Sequence, residues 1–439
     1  MPKPLISVII PTRNRHQTLA SCLRFVDRQH TTNFEVVVFN NSDPEEQHLT
    51  ECVVQEAKNP KIRLFRSERP LAMLDSWEAA LASSQGEYIM VIGDDDTVCS
   101  HGLDILTLIL EQNPNVPINW QPPWYYWPEA RDPQQANTFR FPAVAGSAEW
   151  VNSKAMIRQV CDFKVEFTHL PTIYTSCIPR EVYEEAMKRF GRFFHTRSPD
   201  IGSGFLVAAM APRYLRIPLP ITIAGISGRS NGNSGHLKES GKHAQVNDFF
   251  SLNEVVARGV HAALPDLTAN YAVEVANCAL TIADLLKSHR CDHDFLQPNY
   301  VEMIKRCAMQ INYLPETERE AQWIEILSWA GKRKGLGSVA KVAVNSARLK
   351  GFPSGSNDRM SKAHNIGWVP SHSRFYGRTS PEEVRNVADF ESFASCLFRY
   401  ADIIATGSIP DCLNRRSNPN ILRKGLSVLF KRMRTWWHR

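Results

Sequence analysis

Short apolar runs alternate with amphipathic segments over the first hundred residues. Leu5-Ile-Ser-Val-Ile-Ile10 reads as a buried strand that Pro11 closes. His16 to Gln29 carries Leu19, Leu23 and Val26 at helical spacing, and Phe34 to Phe39 is a second, valine-rich strand. Glu45 to Lys58 predicts a helix, Ile62 to Phe65 a short strand, Leu71 to Ala82 a helix, and Glu87 to Ile92 a strand that runs into acidic residues. Repeated β-α units with apolar strands predict a parallel sheet covered by helices. Ligands of such sheets bind beyond the carboxyl ends of the strands. Three of these strand ends are polar: Thr12-Arg13-Asn14, Asn40-Asn41-Ser42-Asp43 and Asp94-Asp95-Asp96.

Beyond about residue 115 the pattern loosens. Trp124, Tyr125, Tyr126 and Trp127 sit among prolines, and core packing is expected for at least two of them. Thr172 to Ile178 reads as a strand, Arg180 to Arg189 as a helix, and Ile221 to Ala224 as a strand leading into a glycine-rich loop, Gly225 to Gly235. Val246 to Leu264, Thr268 to His289, Pro298 to Ile311 and Glu316 to Ala330 have helical spacing. Further helices are expected at about Pro381 to Ala405 and Ile421 to His438. The expected division is an α/β domain over 1–245, a helical domain over 246–350, a loop or linker over 351–380, and a helical segment with a basic tail over 381–439.

Composition narrows the class. A chain of 439 residues, 43% hydrophobic and 22% charged, is globular and long enough for more than one core. No run of about 18 apolar residues occurs, so no transmembrane helix is expected. Ten cysteines without a CxxC pair read as reduced thiols and argue for a cytoplasmic location. The net charge is only +6, but residues 414–439 hold eight Lys and Arg and no acid. Interleaved there are Ile421, Leu422, Leu426, Leu429, Phe430, Met433, Trp436 and Trp437, the make-up of an interfacial helix. A peripheral membrane contact and a helix packed on protein remain equal readings; no nucleic-acid partner is expected.

Gly93-Asp-Asp-Asp96 carries the most chemistry. Adjacent carboxylates repel and are rarely packed without a cation. Hard oxygen ligands suit Mg²⁺ or Mn²⁺, which bridge carboxylates to substrate phosphates. Asp94, Asp96 and Val98 also fit the haloacid-dehalogenase phosphatase pattern, with Asp94 as nucleophile, although that motif normally follows a first strand. A non-catalytic scaffold is the third reading.

Three blocks fit another family in order and spacing: Ile6-Ser-Val-Ile-Ile-Pro-Thr-Arg-Asn-Arg15, Phe34-Glu-Val-Val-Val-Phe-Asn-Asn-Ser-Asp43 and Gly86-Glu-Tyr-Ile-Met-Val-Ile-Gly-Asp-Asp-Asp96. Together they resemble the family 2 glycosyltransferases, firmly over about 5–110 and loosely to about 235. The resemblance implies an α/β, Rossmann-like GT-A nucleotide-sugar domain, here followed by a mainly α-helical C-terminal domain. It implies inverting transfer from a nucleotide-diphosphate sugar to a glycan or lipid-linked hydroxyl acceptor.

The resemblance also implies site roles. Pro11, Thr12, Arg13 and Asn14 correspond to the nucleotide-contacting loop. Asn40 stands where an acid normally meets the base, Asp43 matches a later acid of that loop, and Asp75 is either a polar group near the nucleotide or an exposed helix carboxylate. Asp94, Asp95 and Asp96 correspond to the metal-binding element, with Asp94-x-Asp96 and an Asp95-centred register both open; Asp94 is also assigned to donor binding. Asp200, in Arg197-Ser-Pro-Asp200, falls where the family places its base, and it equally suits a helix start with Ser198 as cap and Pro199 at the first position. Glu184, Glu185 and His195 are weaker candidates. Ser230, Asn231, Asn233 and His236 in the glycine-rich loop are candidate donor or acceptor contacts, with His236 read mainly as a surface residue.

Overall fold

The structure is a computed structural model describing residues 3–130, 133, 135–141, 148–229, 259–267, 270–314, 316–350, 367–369, 374–378 and 387. Four parallel strands form its centre: β1 (Ile6–Thr12), β2 (Phe34–Asn40), β3 (Ile62–Arg66) and β4 (Tyr88–Val91), in the order β3-β2-β1-β4. Two-residue β5 (Thr97–Val98) follows the acidic cluster. The sheet continues past β4 through β10 (Ser176–Pro179), β6 (Ile118–Asn119), β11 (Arg213–Arg216) and β9 (Glu149–Asn152), with β10 antiparallel to β4.

The sheet is buried on both faces, and residue parity sorts its side chains. Ile6, Val8, Ile10, Val36, Val38 and Met90 fall in one apolar cluster, and Ile9, Val37, Ile89 and Val91 in the other. Successive strand side chains point to opposite faces, so uninterrupted apolar runs are what such a sheet requires. Helices α1 (His16–Cys22), α2 (Gln47–Ala57), α3 (Met73–Ala82) and α4 (Gly102–Gln112) follow β1, β2, β3 and β5 in the chain. Further on come α5 (Ser153–Cys161), α6 (Arg180–Phe190) and α7 (Pro199–Met210).

Pro11 does not end β1. The strand runs on to Thr12, pairing with β2 as far as Asn40. The Ile9 carbonyl accepts from Ile92 on the β4 side. Pro11, two residues on, faces that same side beyond the last β4 partner, so its missing N–H removes no ladder bond.

A second sheet stands beside the first, in the order β13-β14-β8-β7-β12-β5. It joins β7 (Trp124–Tyr126), β8 (Thr138–Phe141) and β12 (Thr222–Ile226) to β5. Its outer strands β13 (Gly367–Val369) and β14 (Arg374–Arg378) pair with each other, and β14 pairs with β8. A loop or linker was the expectation over 351–380; part of that stretch instead extends a sheet of the N-terminal half. Of the four aromatics on and beside β7, Tyr125 and Trp127 are buried and the other two half-buried.

The C-terminal region is helical: Tyr271–Ser288, Tyr300–Gln310, Glu316–Gly331 and Leu336–Lys350. Asn270 and Asn299 cap the first two through their side-chain oxygens. The fourth helix has no counterpart in the sequence reading. Its apolar residues do not form a separate core: Ile9, Phe205 and Leu206 belong to the same cluster as Val273, Met303, Trp329 and Val344. The helices expected at 381–405 and 421–438, most of that at 246–264, and the basic tail lie outside the described residues. Among the described residues no helix is long and apolar enough to cross a membrane.

Candidate active site

The carboxyl ends of β1, β2 and β4 meet in a closed polar network. Asn14 sits in a left-handed conformation at φ 55°, which turns the chain from β1 into α1. Its side chain donates to Asp43 Oδ2 at 2.6 Å and accepts from the Asp43 amide at 2.9 Å. Arg13 adds an ion pair to Asp43 at 2.9 Å. Arg13, Asn14 and Asp43 thus lock the first two loops together. Asn40 is placed differently from the expectation. It is fully buried, donates to the Gln47 carbonyl at 3.1 Å and accepts from the Ser42 amide at 3.1 Å. In this arrangement Asn40 braces the loop after β2. Asp75 lies in the first turn of α3, exposed and paired with Arg192 at 3.1 Å.

The three aspartates diverge. Asp94, 1% exposed, accepts from the Thr12 hydroxyl at 2.6 Å through Oδ2. Its Oδ1 lies 2.7 Å from Arg15 Nη1. Asp95 Oδ2 accepts from Arg15 Nη2 at 2.6 Å and from the Ser227 hydroxyl at 2.7 Å. Asp96 turns the other way: Oδ2 accepts from the Gly93 amide at 2.7 Å, and Oδ1 from the Gly225 amide at 2.8 Å. Burial pushes the Asp94 carboxyl up to about 6 against the pull of Arg15, and the Asp96 carboxyl up to about 7 with Asp95 adding to the rise. Arg15 was not among the sequence candidates. The signal was present, because three packed carboxylates demand positive charge and Arg15 closes the first motif block.

β12 holds the cluster from the far side. A Cβ on Gly225 would stand 1.7 Å from the Asp95 carbonyl oxygen, so only glycine lets the strand approach. Trp127 Nε1 donates to that same carbonyl at 3.1 Å, and Arg229 donates to the Asn14 carbonyl at 2.8 Å.

A divalent ion fits part of this arrangement. Asp94 Oδ1 is buried and has no aligned hydrogen bond although Arg15 is close. A spherical cation satisfies such an oxygen without directional demands, and one or two carboxylates plus phosphate oxygens are an ordinary Mg²⁺ set. Asp94 and Asp95 suit that role. Asp96 is held apart from them, with one backbone amide on each of its oxygens.

Asp200 stands in the first turn of α7 after Pro199. Burial pushes its carboxyl up to about 6, against a hydrogen bond from the Ile201 amide, with Glu274 adding to the rise. Ser198 does not cap the helix. Its hydroxyl donates to Glu274 Oε1 at 2.7 Å, while Arg197 Nε donates to Glu274 Oε2 at 2.6 Å. The start of α7 is thereby tied to the Tyr271–Ser288 helix. Tyr174, unforeseen in sequence, links the two acidic regions: burial and then Asp96, Asp200, Asp95 and Asp94 push its phenol far up. Trp77 packs edge-on against it with ring centroids 5.2 Å apart. Of the weaker base candidates, Glu185 pairs with Arg189, and His195 Nε2 lies 2.9 Å from the Arg192 carbonyl. Ser230, Asn231, Asn233 and His236 lie outside the described residues.

In an open α/β sheet the carboxyl ends of the strands, where these acids lie, are where ligands bind. Residues 7–161 match the model of glycosyl transferase family 2, and the chain carries a domain of that family. It is similar to an uncharacterized glycosyltransferase of Haemophilus influenzae, 24% identical over 118 residues, 27% of this chain and 38% of that protein. It is also similar to the putative colanic acid biosynthesis glycosyl transferase WcaA of Escherichia coli, 30% identical over 93 residues, 21% of this chain and 33% of that protein. The chain thus spans well under two thirds of the curated relatives it matches. A crystal structure of S. aureus TarS 1-349 in complex with UDP-GlcNAc aligns with a TM-score of 0.43 at 17% identity, covering 79% of this chain and 92% of that one.

Proposed function

We propose that this chain transfers a sugar, with inversion, from a nucleotide-diphosphate sugar to a hydroxyl acceptor in surface polysaccharide or glycan assembly. One observation supports it most: at the carboxyl end of β4, inside the stretch that matches the family model, Asp94 and Asp95 converge with the Thr12 loop and the Arg15 guanidinium. Two groups of acids serve two tasks. Asp94 and Asp95, oriented by Thr12 and Ser227, hold positive charge where the diphosphate leaves. Mg²⁺ or Mn²⁺ bound there would neutralise the departing phosphate oxygens. Asp200 takes the acceptor's hydroxyl proton. The acceptor oxygen bonds to the anomeric carbon as the bond from that carbon to the phosphate oxygen breaks, and the nucleoside diphosphate leaves with the electron pair. Asp96, fixed on Gly93 and Gly225, sets the turn that aims its two neighbours.

The acceptor is a glycan or a lipid-linked hydroxyl. A cytoplasmic enzyme held at the inner face of the membrane by its basic, tryptophan-ended tail would meet a lipid-linked acceptor. Calorimetric titration with UDP, GDP and dTDP, each with Mn²⁺ and with chelator, tests the donor site. Metal-dependent binding of one of them, lost in Asp95→Ala, is expected. Absence of binding by all three refutes the proposal and favours a scaffold.

A further inference from the structure

We infer that Arg15 is a resident counter-ion, which occupies the cation position of the acidic cluster and gives it up when a divalent ion arrives with the donor. This rests on the donor-site reading above and extends it to how the site is held before the donor comes.

Arg15 is the residue before α1, on the loop that follows β1. Its guanidinium bridges the two carboxylates best suited to a metal, with Nη1 2.7 Å from Asp94 and Nη2 2.6 Å from Asp95. Nη2 also donates to Ser227 Oγ at 2.6 Å, so one side chain spans the β1 loop, the cluster and the segment after β12. A fork of two nitrogens on two separate carboxylates neutralises charge well and satisfies hydrogen bonding poorly. Both Asp94 Oδ1 and Arg15 Nε are buried without an aligned partner. Leaving such groups unsatisfied has a cost, so the contact is poised for exchange. Two ionised buried carboxylates beside one another are costly without a cation. A nucleoside diphosphate is itself anionic and is disfavoured at the cluster while the Arg15 guanidinium is committed to Asp94 and Asp95. Asp94 and Asp95 would hold Mn²⁺ or Mg²⁺ in place of the guanidinium, and the long arginine side chain would then be free to reach the diphosphate. Arg15 thereby couples metal binding to donor binding: the metal alone competes with an intramolecular cation, whereas metal and diphosphate together repay its displacement.

The test is calorimetric titration of the full chain with Mn²⁺ alone, in wild type, Arg15→Met and Arg15→Lys. Arg15→Met is expected to bind Mn²⁺ at least tenfold more tightly than wild type, and Mn²⁺ is expected to restore the melting temperature this variant loses. Arg15→Lys, which keeps a charge but cannot bridge both acids, is expected to bind Mn²⁺ about threefold to tenfold more tightly, and it decides the matter if Arg15→Met does not fold. Equal Mn²⁺ affinity in wild type and in the folded variants overturns the inference. Mn²⁺-dependent nucleotide binding by wild type separates the two levels: its presence with equal Mn²⁺ affinities removes only the role of Arg15, and its absence removes the donor site.

Discussion

Replacing Asp200 with asparagine should make the protein more stable while it stops turnover. The carboxyl is raised from 3.8 to about 6, chiefly by burial. At about 1.36 kcal/mol per pH unit this is roughly 3 kcal/mol of unfavourable charge burial. The group is half-buried, so solvent screening reduces the figure to about 1.5 kcal/mol. Asparagine keeps the shape but forgoes the helix-dipole attraction of the first turn, about 0.5 kcal/mol. The net gain at pH 8 is about 1 kcal/mol. The sign follows from linkage: a folded-state pKa above the unfolded value favours the folded protein below about pH 4, and that advantage is lost as pH rises through 6. The asparagine variant should therefore gain on wild type between pH 4 and pH 7 and hold its lead above. Urea unfolding of both proteins at pH 5 and pH 8 measures this. In the same pair, turnover should fall by about 10²–10⁴-fold, the usual worth of a positioned base. Wild-type turnover should rise with pH through a midpoint near 6. A variant less stable than wild type at pH 8, or a pH-independent difference, would refute the burial argument; retained turnover would refute the role as base.

Gly225→Ala should destabilise by about 3 kcal/mol or more and weaken nucleotide binding, because its Cβ would meet the Asp95 carbonyl at 1.7 Å and backbone lies on both sides; a urea midpoint equal to wild type would contradict it. Glu274→Gln should lower kcat severalfold with donor affinity unchanged, and should move the acid limb of the pH profile downward, since the lost negative charge is one that raises Asp200. An unmoved limb would show that Glu274 only supports the fold.

The central strands were legible because a sheet buried on both faces leaves no choice but apolar runs, as at Ile6 to Ile10 and Phe34 to Phe39. The acidic cluster was legible because chemistry alone makes three adjacent aspartates conspicuous. Other features depend on contacts between distant parts of the chain. Asn40 ends a strand, and nothing local says whether its amide points outward or into the Gln47 and Ser42 backbone. Ser198-Pro-Asp200 has the local form of a capped helix, yet Ser198 is drawn away by Glu274, 76 residues on. Asp96 was indistinguishable from its neighbours until Gly225 supplied an amide from across the fold. The Leu336–Lys350 helix was hidden by Gly335 and Gly337, whose low helix propensity is overridden by packing at Ala340, Val344 and Ala347.

The apolar cluster that passes from Ile9 through α7 into the C-terminal helices has a practical meaning for anyone dividing this chain. Cutting near residue 245 would uncover the sides of α5 and α7 on which the Tyr271–Ser288 helix packs and remove the anchor of the segment that bears Asp200. The two regions should protect their amide hydrogens together and surrender them together, as a single cooperative unit in hydrogen exchange. Variation in the helical half therefore reaches the start of α7 through shared packing, and an exchange of C-terminal halves between related chains would have to carry the matching sides of α5 and α7 with it.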